Sequence, residues 1–481
     1  MVKFCCKWKS KILIMMQVPR IDLIVPSSRD DTVEVSRAGF FPPLGLLSIA
    51  TYARQALGDL DVQILDGNIL DEEQIRIRPE ADVVGFSPTI LSYESCLRLA
   101  RLAKLNGSLV VFGGYHATSL GQRILEVNDF VDFVVDSDGE MPFTELLKGT
   151  PPQQIPGLVY RSASGVRHNP TARTPMDSYP LADRALADRH EYLHRFQQKY
   201  ANRGFHVPDL IVSQKDCMWG SKTGGCVFCA RIDKDYRART PERVWQEILW
   251  LRETYGTDYV WDVTGSFIGN LEWVRAFHAA RPKASGVALE IYGRSAEVIG
   301  PGMAQMMKDI GIHKIFIGAE SGDQRDLQLT RKGTMPEKNL RAARTCAAHG
   351  IVLTLGFVVG LPGESKESLD RTLAHVKQLA REAEVETISC SVLLPIPGSA
   401  SFQMLTKHPE TRKKYAFGDH WDLEDMQRDW LRLFTNVSYD YAVEVAEDIL
   451  AHAPTQSSIL RFRENVGKTN RSKEECTLSC V

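Results

Sequence analysis

Residues 211–230 read IVSQKDCMWGSKTGGCVFCA. The apolar start of this stretch predicts a buried strand, and the polar loop after it carries Cys217, Cys226 and Cys229 in a C-x8-C-x2-C pattern. Thiolates are soft ligands that favour zinc or iron–sulfur clusters, and a closed structural zinc site needs four ligands. Three cysteines without a fourth therefore favour a 4Fe–4S cluster with one iron left open. A zinc loop and three ordinary thiols are the alternatives.

The composition limits the classes of protein to which the chain can belong. Its 481 residues are 43% hydrophobic and 25% charged, which is typical of a soluble globular protein with two to four domains. The net charge of −2 gives no electrostatic reason to expect a nucleic-acid partner, and no apolar stretch has the length of a membrane span. Ten cysteines in so long a chain are not a disulfide framework, so we expect a reducing, cytoplasmic location.

Residues 1–150 alternate apolar runs with helix-like segments. The predicted strands are 20–28, 62–66, 81–89, 108–114 and 131–136, and the predicted helices are 44–57, 93–106, 119–127 and 141–148. This alternation predicts a doubly wound, Rossmann-like parallel sheet of the α/β class. Such sheets bind ligands in the crevice at the carboxyl ends of their strands.

Small and polar residues stand at those strand ends. They are Ser87, Pro88 and Thr89 after the third strand, Gly113, Gly114, Tyr115 and His116 after the fourth, and Asp138, Gly139 and Glu140 after the fifth. Paired glycines allow a backbone to approach a large, flat ligand closely. These ends predict a binding crevice, with an inert flavodoxin-like crevice as the alternative.

The rest of the chain divides into three parts. Prolines interrupt the pattern in residues 151–208, which are predicted to be a linker. Residues 209–405 contain six apolar runs separated by helical segments, which predicts a partial (β/α)6 barrel with its site at the carboxyl ends of the strands. Residues 406–481 are predicted to be a small helical region that closes the open side of the barrel, with a disordered tail from Thr469. The predicted incidental thiols are Cys5, Cys6, Cys476 and Cys480.

The cysteine loop resembles the cluster loop of radical S-adenosylmethionine (SAM) enzymes. Those enzymes have a CxxxCxxC pattern with an aromatic residue before the last cysteine, and the run from Cys226 through Phe228 to Cys229 is similar to its second half. The first half departs from it, because eight residues rather than three separate Cys217 from Cys226. The insert is rich in glycine, and we expect it to bulge outward while its ends stay close.

This resemblance implies which strand ends of the barrel contact SAM. The implied residues are Phe228 in the loop, Asp262 at the amino group, Arg294 at the carboxylate, Glu320 with Ser321 near the ribose or the amino group, and Gly360 near the adenine. A guanidinium can hold a carboxylate through two parallel hydrogen bonds, which suits Arg294. The alternative reading is structural: Glu364, for example, could cap the helix that follows it.

Residues 1–150 resemble the cobalamin-binding domain that precedes many radical SAM cores. The residues implied at the cobalamin are Leu44, Gly45, Asp66, Ser87, Thr89, Gly113, Gly114, Tyr115, His116, Gly139 and Glu140. The sequence lacks the D-x-H-x-x-G motif whose histidine ligates cobalt in cobalamin mutases. We therefore expect His116 to form a hydrogen bond rather than to ligate cobalt.

Together the two resemblances imply a cobalamin-dependent radical SAM enzyme whose cofactors are a 4Fe–4S cluster, SAM and cobalamin. The commonest reaction of that family is C-methylation of an unactivated centre of a small molecule, through a 5′-deoxyadenosyl radical and methylcobalamin. The alternatives are a cobalamin-dependent rearrangement, cyclisation or ring contraction, and a non-catalytic cobalamin- or metal-binding module. The family also implies an external one-electron donor of the flavodoxin or ferredoxin type.

Overall fold

The computed structural model describes residues 18–27, 39–58, 60–200, 204–231, 233, 235–383 and 385–452. The predicted tail from Thr469 lies outside these ranges, and so do the four predicted incidental thiols Cys5, Cys6, Cys476 and Cys480. Two sheets, one in each half of the chain, organise the described residues.

Seven strands form the N-terminal sheet. They are β1 (Arg20–Val25), β2 (Asp61–Asp66), β3 (Val83–Phe86), β4 (Leu109–Phe112), β5 (Phe133–Val135), β6 (Leu158–Ser162) and β7 (Gly165–His168). The order across the sheet is β2-β1-β3-β4-β5-β6-β7, with β1 to β5 parallel and β6 and β7 added as an antiparallel hairpin. Every residue of β3 and β5 is buried, as in sheets that carry helices on both faces. The predicted doubly wound sheet is confirmed, and its hairpin continues past residue 150.

Helices cover this sheet. They are α1 (Leu44–Leu57), α2 (Tyr93–Leu105), α3 (Gly114–Val127) and α4 (Glu140–Leu147). In α1 the buried residues Leu46, Ala50 and Ala53 follow one another at intervals of four and three, which places them on one face of the helix. That face packs into the same apolar cluster as the strand residues of the sheet.

The segment between the two sheets is anchored to both of them. Its one long helix is α5 (Arg189–Tyr200), where the Tyr192 hydroxyl donates to Asp66 Oδ2 at 2.9 Å, at the end of β2. The fully buried Arg184 lies 3.0 Å from Asp209 and 3.1 Å from Glu247, two carboxylates of the C-terminal half. A buried guanidinium requires such partners, so this segment is tied to both halves by polar contacts.

The C-terminal sheet has six parallel strands. They are β8 (Pro208–Ile211), β11 (Tyr259–Asp262), β12 (Ala288–Gly293), β13 (Ile312–Glu320), β14 (Val352–Val359) and β15 (Val385–Val392). Two short strands outside this sheet, β9 (Gln214–Lys215) and β10 (Arg237–Ala238), form a separate antiparallel pair. The order is β15-β14-β13-β12-β11-β8, so the first and last strands along the chain lie at opposite edges. The helices between them are α6 (Met218–Thr223), α7 (Pro241–Tyr255), α8 (Leu271–Ala279), α9 (Ser295–Val298), α10 (Met303–Ile310), α11 (Gln324–Leu329), α12 (Pro336–Ala348) and α13 (Lys366–Glu382). The predicted partial barrel of alternating strands and helices is confirmed.

The C-terminal region is helical, as predicted, and it contacts both halves. Its helices are α14 (Ala400–Lys407), α15 (Arg412–Tyr415), α16 (Leu423–Phe434) and α17 (Tyr439–Ala451). α17 packs along the edge strand β15, while Tyr415 and Met426 enter an apolar cluster of the N-terminal domain. The C-terminal helices therefore connect the two sheets as well as covering the barrel edge. None of the helices in the described ranges has the length and apolar character needed to cross a membrane.

Candidate functional site

Strand ends of the two sheets meet at the cysteine loop. Asp138, which follows β5, forms an ion pair with Lys215, and its Oδ2 lies 2.7 Å from Arg237 Nη1. Lys215 precedes the loop and Arg237 follows it. Burial disfavours the ionised carboxylate, but Arg237 and Lys215 outweigh this effect and hold the pKa of Asp138 at about 2. This charged contact joins the carboxyl edge of the N-terminal sheet to the base of the loop.

Hydrogen bonds close the loop on itself. The backbones of β9 and β10 pair at its base, and Asp216 accepts hydrogen bonds from Arg231, one of them from Nε at 2.7 Å. Arg231 also donates to the Gly220 carbonyl at 2.6 Å. Bidentate arginine–carboxylate pairs have a defined geometry. Since Asp216 adjoins Cys217 and Arg231 lies two residues beyond Cys229, the pair holds the first and third cysteines on neighbouring segments.

The residues between the first two cysteines form a short helix, which the sequence did not predict, and residues 221–224 are exposed. α6 occupies residues 218–223 and ends at Gly224, whose positive φ of +85° suits a helix C-terminus. Gly220 is buried against Arg231, where a Cβ would come within 2.8 Å of the arginine Nε. Ser221 Oγ donates to Asp216 Oδ2 at 2.6 Å. The helix shortens the path between the cysteines and ties the insert to the loop.

The three thiols share one electrostatic environment. Burial raises the pKa of the Cys229 thiol to about 11 and also raises that of Cys226. The charge of Lys332 lowers both pKa values, and Arg294 lowers that of Cys226 further, as Arg231 does that of Cys229. Nearby cations favour the thiolate that a metal requires. In the described part of the chain no three His, Cys, Asp or Glu side chains converge on a single metal ion. An iron–sulfur cluster does not need such convergence, because each thiolate binds its own iron.

Arg294 lies directly after β12 and is 8% exposed. Its Nη2 donates to the Lys332 carbonyl, and its Nη1 lies 3.6 Å from Glu297 Oε1. Its Nε is buried without a hydrogen-bond partner among the described residues. Buried polar groups are rarely left unpaired, so this nitrogen is suited to a ligand that carries an acceptor.

Glu320 ends β13 in a strained conformation beside a buried lysine. Its φ is +63° and it is 7% exposed; such a backbone conformation costs a residue other than glycine about 1–3 kcal/mol. Glu320 Oε1 accepts a hydrogen bond from Lys332 Nζ at 2.6 Å. Burial would lower the pKa of Lys332, but Glu320 and Cys226 raise it. Lys332 therefore connects a predicted SAM contact with the cysteine loop.

Residues 330–334, which no pattern in the sequence singled out, hold the cysteine loop from the other side. The Thr330 carbonyl accepts from Val227 N at 3.0 Å, and the Arg331 carbonyl accepts from Trp219 Nε1 at 3.0 Å. The run also supplies Lys332. The only local signal was Gly333 after a short helical segment, which by itself predicts no more than a helix end.

Asp262 joins the ends of two strands. Its Oδ1 accepts from Thr264 N at 3.0 Å and from Thr264 Oγ1 at 2.6 Å, and Ser213 N approaches it at 3.4 Å. Its Oδ2 is buried without a partner among the described residues, and burial raises the pKa of the carboxyl. One oxygen of Asp262 therefore stabilises the ends of the two strands, and the other can accept a hydrogen bond from a ligand.

Two other predicted SAM contacts already have protein partners. Ser321 Oγ lies 3.1 Å from Thr372 Oγ1. Gly360 N donates to Glu364 Oε2 at 2.5 Å, and its carbonyl accepts from Trp430 Nε1 at 2.8 Å. The structure thus gives Ser321 and Gly360 interactions within the protein. Phe228 is half-buried and packs against the apolar core of the C-terminal sheet.

Glu364 does not cap the helix that follows it, so that alternative is wrong. Ser365 is the residue before α13, and its Oγ accepts from Ser368 N at 3.3 Å. Glu364 is fully buried and instead fixes the Gly360 turn. Burial raises its pKa to about 8.

The crevice of the N-terminal domain is formed at the ends of β3 and β4. A Cβ on Gly114 would lie 2.5 Å from Ser87 Oγ, so this approach of two loops excludes a side chain. Tyr115 has a side chain that is 68% exposed; desolvation by neighbouring protein atoms raises the pKa of its hydroxyl, and the charges of Lys215, Asp233 and Cys229 also act on it. Tyr115 therefore lies where the crevice and the cysteine loop approach each other.

His116 is turned into the protein. Its ring is 3% exposed, and Nε2 lies 2.8 Å from the Asp419 carbonyl, to which it donates as the N–H tautomer. The ring also lies against Tyr93, with centroids 4.1 Å apart. Burial lowers the pKa of His116 to about 4. The expected hydrogen bond is present, and its acceptor belongs to the C-terminal region.

The other predicted cobalamin contacts lie at the end of β2 or close to the starts of helices. Asp66 accepts from Asn68 N at 2.9 Å and from Tyr192, so both of its oxygens have protein partners. Glu140 is buried and accepts from Ser48 Oγ at 2.7 Å. The remaining predicted contacts are Leu44 and Gly45 at the start of α1, Thr89 before α2, Gly113 before α3 and Gly139 before α4.

The residues present fit the three implied cofactors. Arg294 Nε and Asp262 Oδ2 are buried atoms without partners among the described residues, and they match the carboxylate and ammonium groups of SAM. The cations around the cysteine loop suit thiolates that bind iron. The glycine cradle of Gly113 and Gly114 offers backbone to a flat macrocycle.

Comparisons with known proteins divide the chain in the same way. The model of the B12 binding domain matches residues 31–147, and the model of the radical SAM superfamily matches residues 217–376. An uncharacterized methyltransferase of Pyrococcus horikoshii is 27% identical over 409 residues, which cover 80% of this chain and 82% of that protein.

Other relatives carry names of different reactions. The anaerobic magnesium-protoporphyrin IX monomethyl ester cyclase of Rubrivivax gelatinosus is 24% identical over 83% of this chain and 72% of its own length. The hopanoid C-3 methylase of Methylococcus capsulatus is 25% identical over 78% of this chain and 71% of its own length.

Two solved structures share the fold. OxsB, a cobalamin-dependent S-adenosylmethionine radical enzyme solved with aqua-cobalamin, superposes with a TM-score of 0.60 at 18% identity, over 92% of this chain. This chain spans 58% of the OxsB chain. TsrM, a radical S-adenosylmethionine methyltransferase from Kitasatospora setae solved with cobalamin and a [4Fe-4S] cluster, superposes with a TM-score of 0.59 at 17% identity, over 81% of this chain and 76% of TsrM.

Proposed function

Because the chain belongs to the cobalamin-dependent radical SAM enzymes, we propose that it is a methyltransferase that methylates an unactivated carbon of a small molecule. The family assignment makes the chain an enzyme that uses SAM, a 4Fe–4S cluster and cobalamin. Relatives that are named as methyltransferases support methyl transfer as the reaction class. An external one-electron donor and a small-molecule substrate complete the proposed reaction.

One observation carries the proposal: Asp138 of the crevice pairs with Lys215 and Arg237 on the two sides of the cysteine loop. Cluster, SAM and cobalamin can act on one substrate only if their binding sites open toward each other. The exposed position of Tyr115, within electrostatic reach of Cys229, agrees with such a shared space. Sites on unconnected surfaces would not serve this reaction.

In this proposal the chain binds and orients, while the cofactors supply the chemistry. When bound, the cluster and SAM supply a 5′-deoxyadenosyl radical, and cobalamin supplies the methyl group. Cys217, Cys226 and Cys229 hold three irons. Arg294 Nε donates to the SAM carboxylate, and Asp262 Oδ2 accepts from the SAM ammonium group. Lys332 and Glu320 neutralise each other beside Cys226, which keeps a buried charge balanced.

Cobalamin would rest on the crevice of the N-terminal domain. Ser87, Gly113 and Gly114 bring backbone against the macrocycle, and Gly139 and Glu140 form the opposite edge. Tyr115 would then contact the face of the ring that is turned toward the cysteine loop.

Cyclisation is a second candidate, because one group of relatives is named as cyclases. Both reactions would use the same cofactor residues, so the site alone does not separate them. Methyl-labelled SAM separates them, because a methyltransferase moves the label into a product and releases S-adenosylhomocysteine.

The test begins with anaerobic protein that has been reconstituted with iron, sulfide and hydroxocobalamin. We expect about four irons per chain, as for a cubane cluster, with bound cobalt, and release of 5′-deoxyadenosine from SAM after reduction. The proposal then requires label from the SAM methyl group in a small molecule of a cell extract. Label-free product with continued 5′-deoxyadenosine release would favour cyclisation.

Cys226→Ala tests the cluster, with Cys346→Ala as a matched control in the apolar core of α12. We expect Cys226→Ala to lose most of its iron and all release of 5′-deoxyadenosine, while Cys346→Ala keeps both. Full release by Cys226→Ala would refute the radical mechanism.

A further inference from the structure

The insert between the first two cysteines brings an indole to the SAM side of the loop. Trp219 lies in α6, and the Arg294 guanidinium carbon is 4.2 Å from the centroid of its ring. Trp219 Nε1 donates to the Arg331 carbonyl at 3.0 Å, which fixes the plane of the ring. A residue of the loop insert therefore supports the residue that follows the distant strand β12.

The backbone of Gly333 packs closely against this contact. Gly333 has a φ of +67°, and a Cβ there would overlap the Trp219 ring and come within 3.0 Å of Arg294 Nη2. Arg294 Nη2 in turn donates to the Lys332 carbonyl. The Trp219 ring thus packs against the face of the Arg294 guanidinium, and the Lys332 carbonyl accepts a hydrogen bond from its Nη2.

Stacking on the face leaves the edge of the guanidinium free for hydrogen bonds, because its N–H groups point outward in the plane. The Arg294 Nε is the buried nitrogen that lacks a partner among the described residues. An anionic group with two oxygens could accept from this edge. The ring and the carbonyl orient the guanidinium before any ligand arrives.

We propose that Trp219 is a positioning residue for SAM, which acts through Arg294: the insert of this cysteine loop places an indole under the guanidinium so that its edge meets the SAM carboxylate. This inference rests on the proposed function, and it assigns a task to the part of the loop that departs from the family pattern. Without the ring, Arg294 would keep its charge and lose its fixed orientation.

The experiment measures SAM binding by equilibrium dialysis on anaerobically reconstituted full-length protein. Trp219→Ala removes the ring, Trp219→Phe retains an aromatic face, and Lys222→Ala is the control on the exposed side of the same helix. We expect Trp219→Ala to weaken SAM binding about tenfold, within the range of a buried cation–π contact. Trp219→Phe should recover most of this loss, and Lys222→Ala should bind as the wild type does.

Decarboxylated SAM gives the decisive comparison. If Trp219 acts through the carboxylate contact, the wild type and Trp219→Ala should bind this analogue with equal affinity. An equal loss of affinity for SAM and its decarboxylated analogue would overturn the proposal, because the ring would then act elsewhere.

Iron and sulfide are measured on every variant. Retention of the cluster by Trp219→Ala is expected, and loss of iron from both Trp219→Ala and Trp219→Phe would overturn the proposal in favour of a purely structural ring. The failure of the proposed function has a different signature: the wild type itself, with its cluster intact, would bind no SAM.

Discussion

Arg237 Nη1 lies 2.7 Å from Asp138 Oδ2, so a residue just beyond the cysteine loop is paired with a residue at the last parallel strand of the other domain. The two residues are 99 positions apart in the chain. Asp138 also pairs with Lys215, on the other side of the loop. One carboxylate therefore sets how the crevice and the loop face each other.

Asp138→Asn should destabilise the protein, because it removes the carboxylate that Lys215 and Arg237 share and leaves Arg237 paired with Asp233 alone. The Asp138 side chain is 8% exposed, and breaking a buried pair in this way costs about 3 kcal/mol. Urea unfolding at pH 7 of wild type and variant measures the difference.

The control is Asp82→Asn, which removes an exposed ion pair with Arg20. Exposed pairs contribute about 0–1 kcal/mol, so this variant should unfold close to the wild type. Equal midpoints for Asp138→Asn and Asp82→Asn would mean that the contact between the domains does not depend on this carboxylate.

Lys332→Met should leave Glu320 buried beside the thiols without its cation. We expect a loss of about 3–5 kcal/mol in the free energy of unfolding, as for other broken buried pairs. The double variant Lys332→Met with Glu320→Gln removes both charges and should recover part of this loss.

Lys308→Met serves as the comparison, because Lys308 is an exposed lysine of the helix α10. It should change the unfolding free energy by less than about 0.5 kcal/mol. If Lys332→Met reduced the free energy of unfolding as little as Lys308→Met does, a group other than Lys332 would be stabilising the buried Glu320 carboxylate.

Glu364 predicts a pH dependence of stability. Its folded pKa of about 8 lies above its ordinary value of 4.5, so folding favours the protonated carboxyl. Its stabilising contribution is complete below pH 4.5 and is lost as the pH rises toward 8. Between pH 5.5 and 8 the loss amounts to about 3 kcal/mol, at about 1.4 kcal/mol per pKa unit.

Glu364→Gln should remove this pH-dependent contribution to the free energy of unfolding. The amide oxygen of the glutamine can still accept the hydrogen bond from Gly360 N. The difference in unfolding free energy between wild type and variant is measured across that pH range. Glu367→Gln is the control, because the pKa of this exposed carboxyl is lowered and its titration falls below the range. If the unfolding free energy of Glu364→Gln depended on pH in the same way as that of the wild type, Glu364 would be ionised throughout this pH range.

His116 should not ligate cobalt. Its Nε2 is taken by the Asp419 carbonyl, and the side chain as a whole is only 3% exposed. We expect the electron paramagnetic resonance spectrum of bound cob(II)alamin to be the same in wild type and His116→Asn. His420→Asn is the control in the neighbouring segment. Nitrogen splittings that are present in the wild type and absent from His116→Asn would contradict the prediction.

Much of the site could be predicted from local pattern, and the rest could not. The cysteines, Arg294 and Glu320 stand at strand ends that periodicity locates, although their roles toward the cofactors stay predictions. Trp219 and Lys332 carry no local signal, because their importance lies in contacts with β12 and β13. The helix in the insert was not predicted for the same reason: its Gly220 packs against Arg231, which lies beyond the third cysteine.

The sequence by itself determined the order of strands and helices, the two-domain division and the position of the cysteine loop. The helix α1 begins and ends where the pattern predicted, at residues 44 and 57, because apolar periodicity and proline placement act within a few residues. Only the tertiary structure decided that Asp138 meets Lys215 and Arg237, that Trp219 lies under Arg294, and that Asp419 closes over His116. Those contacts join residues far apart in the chain, and their energies depend on distances and burial that no local pattern contains.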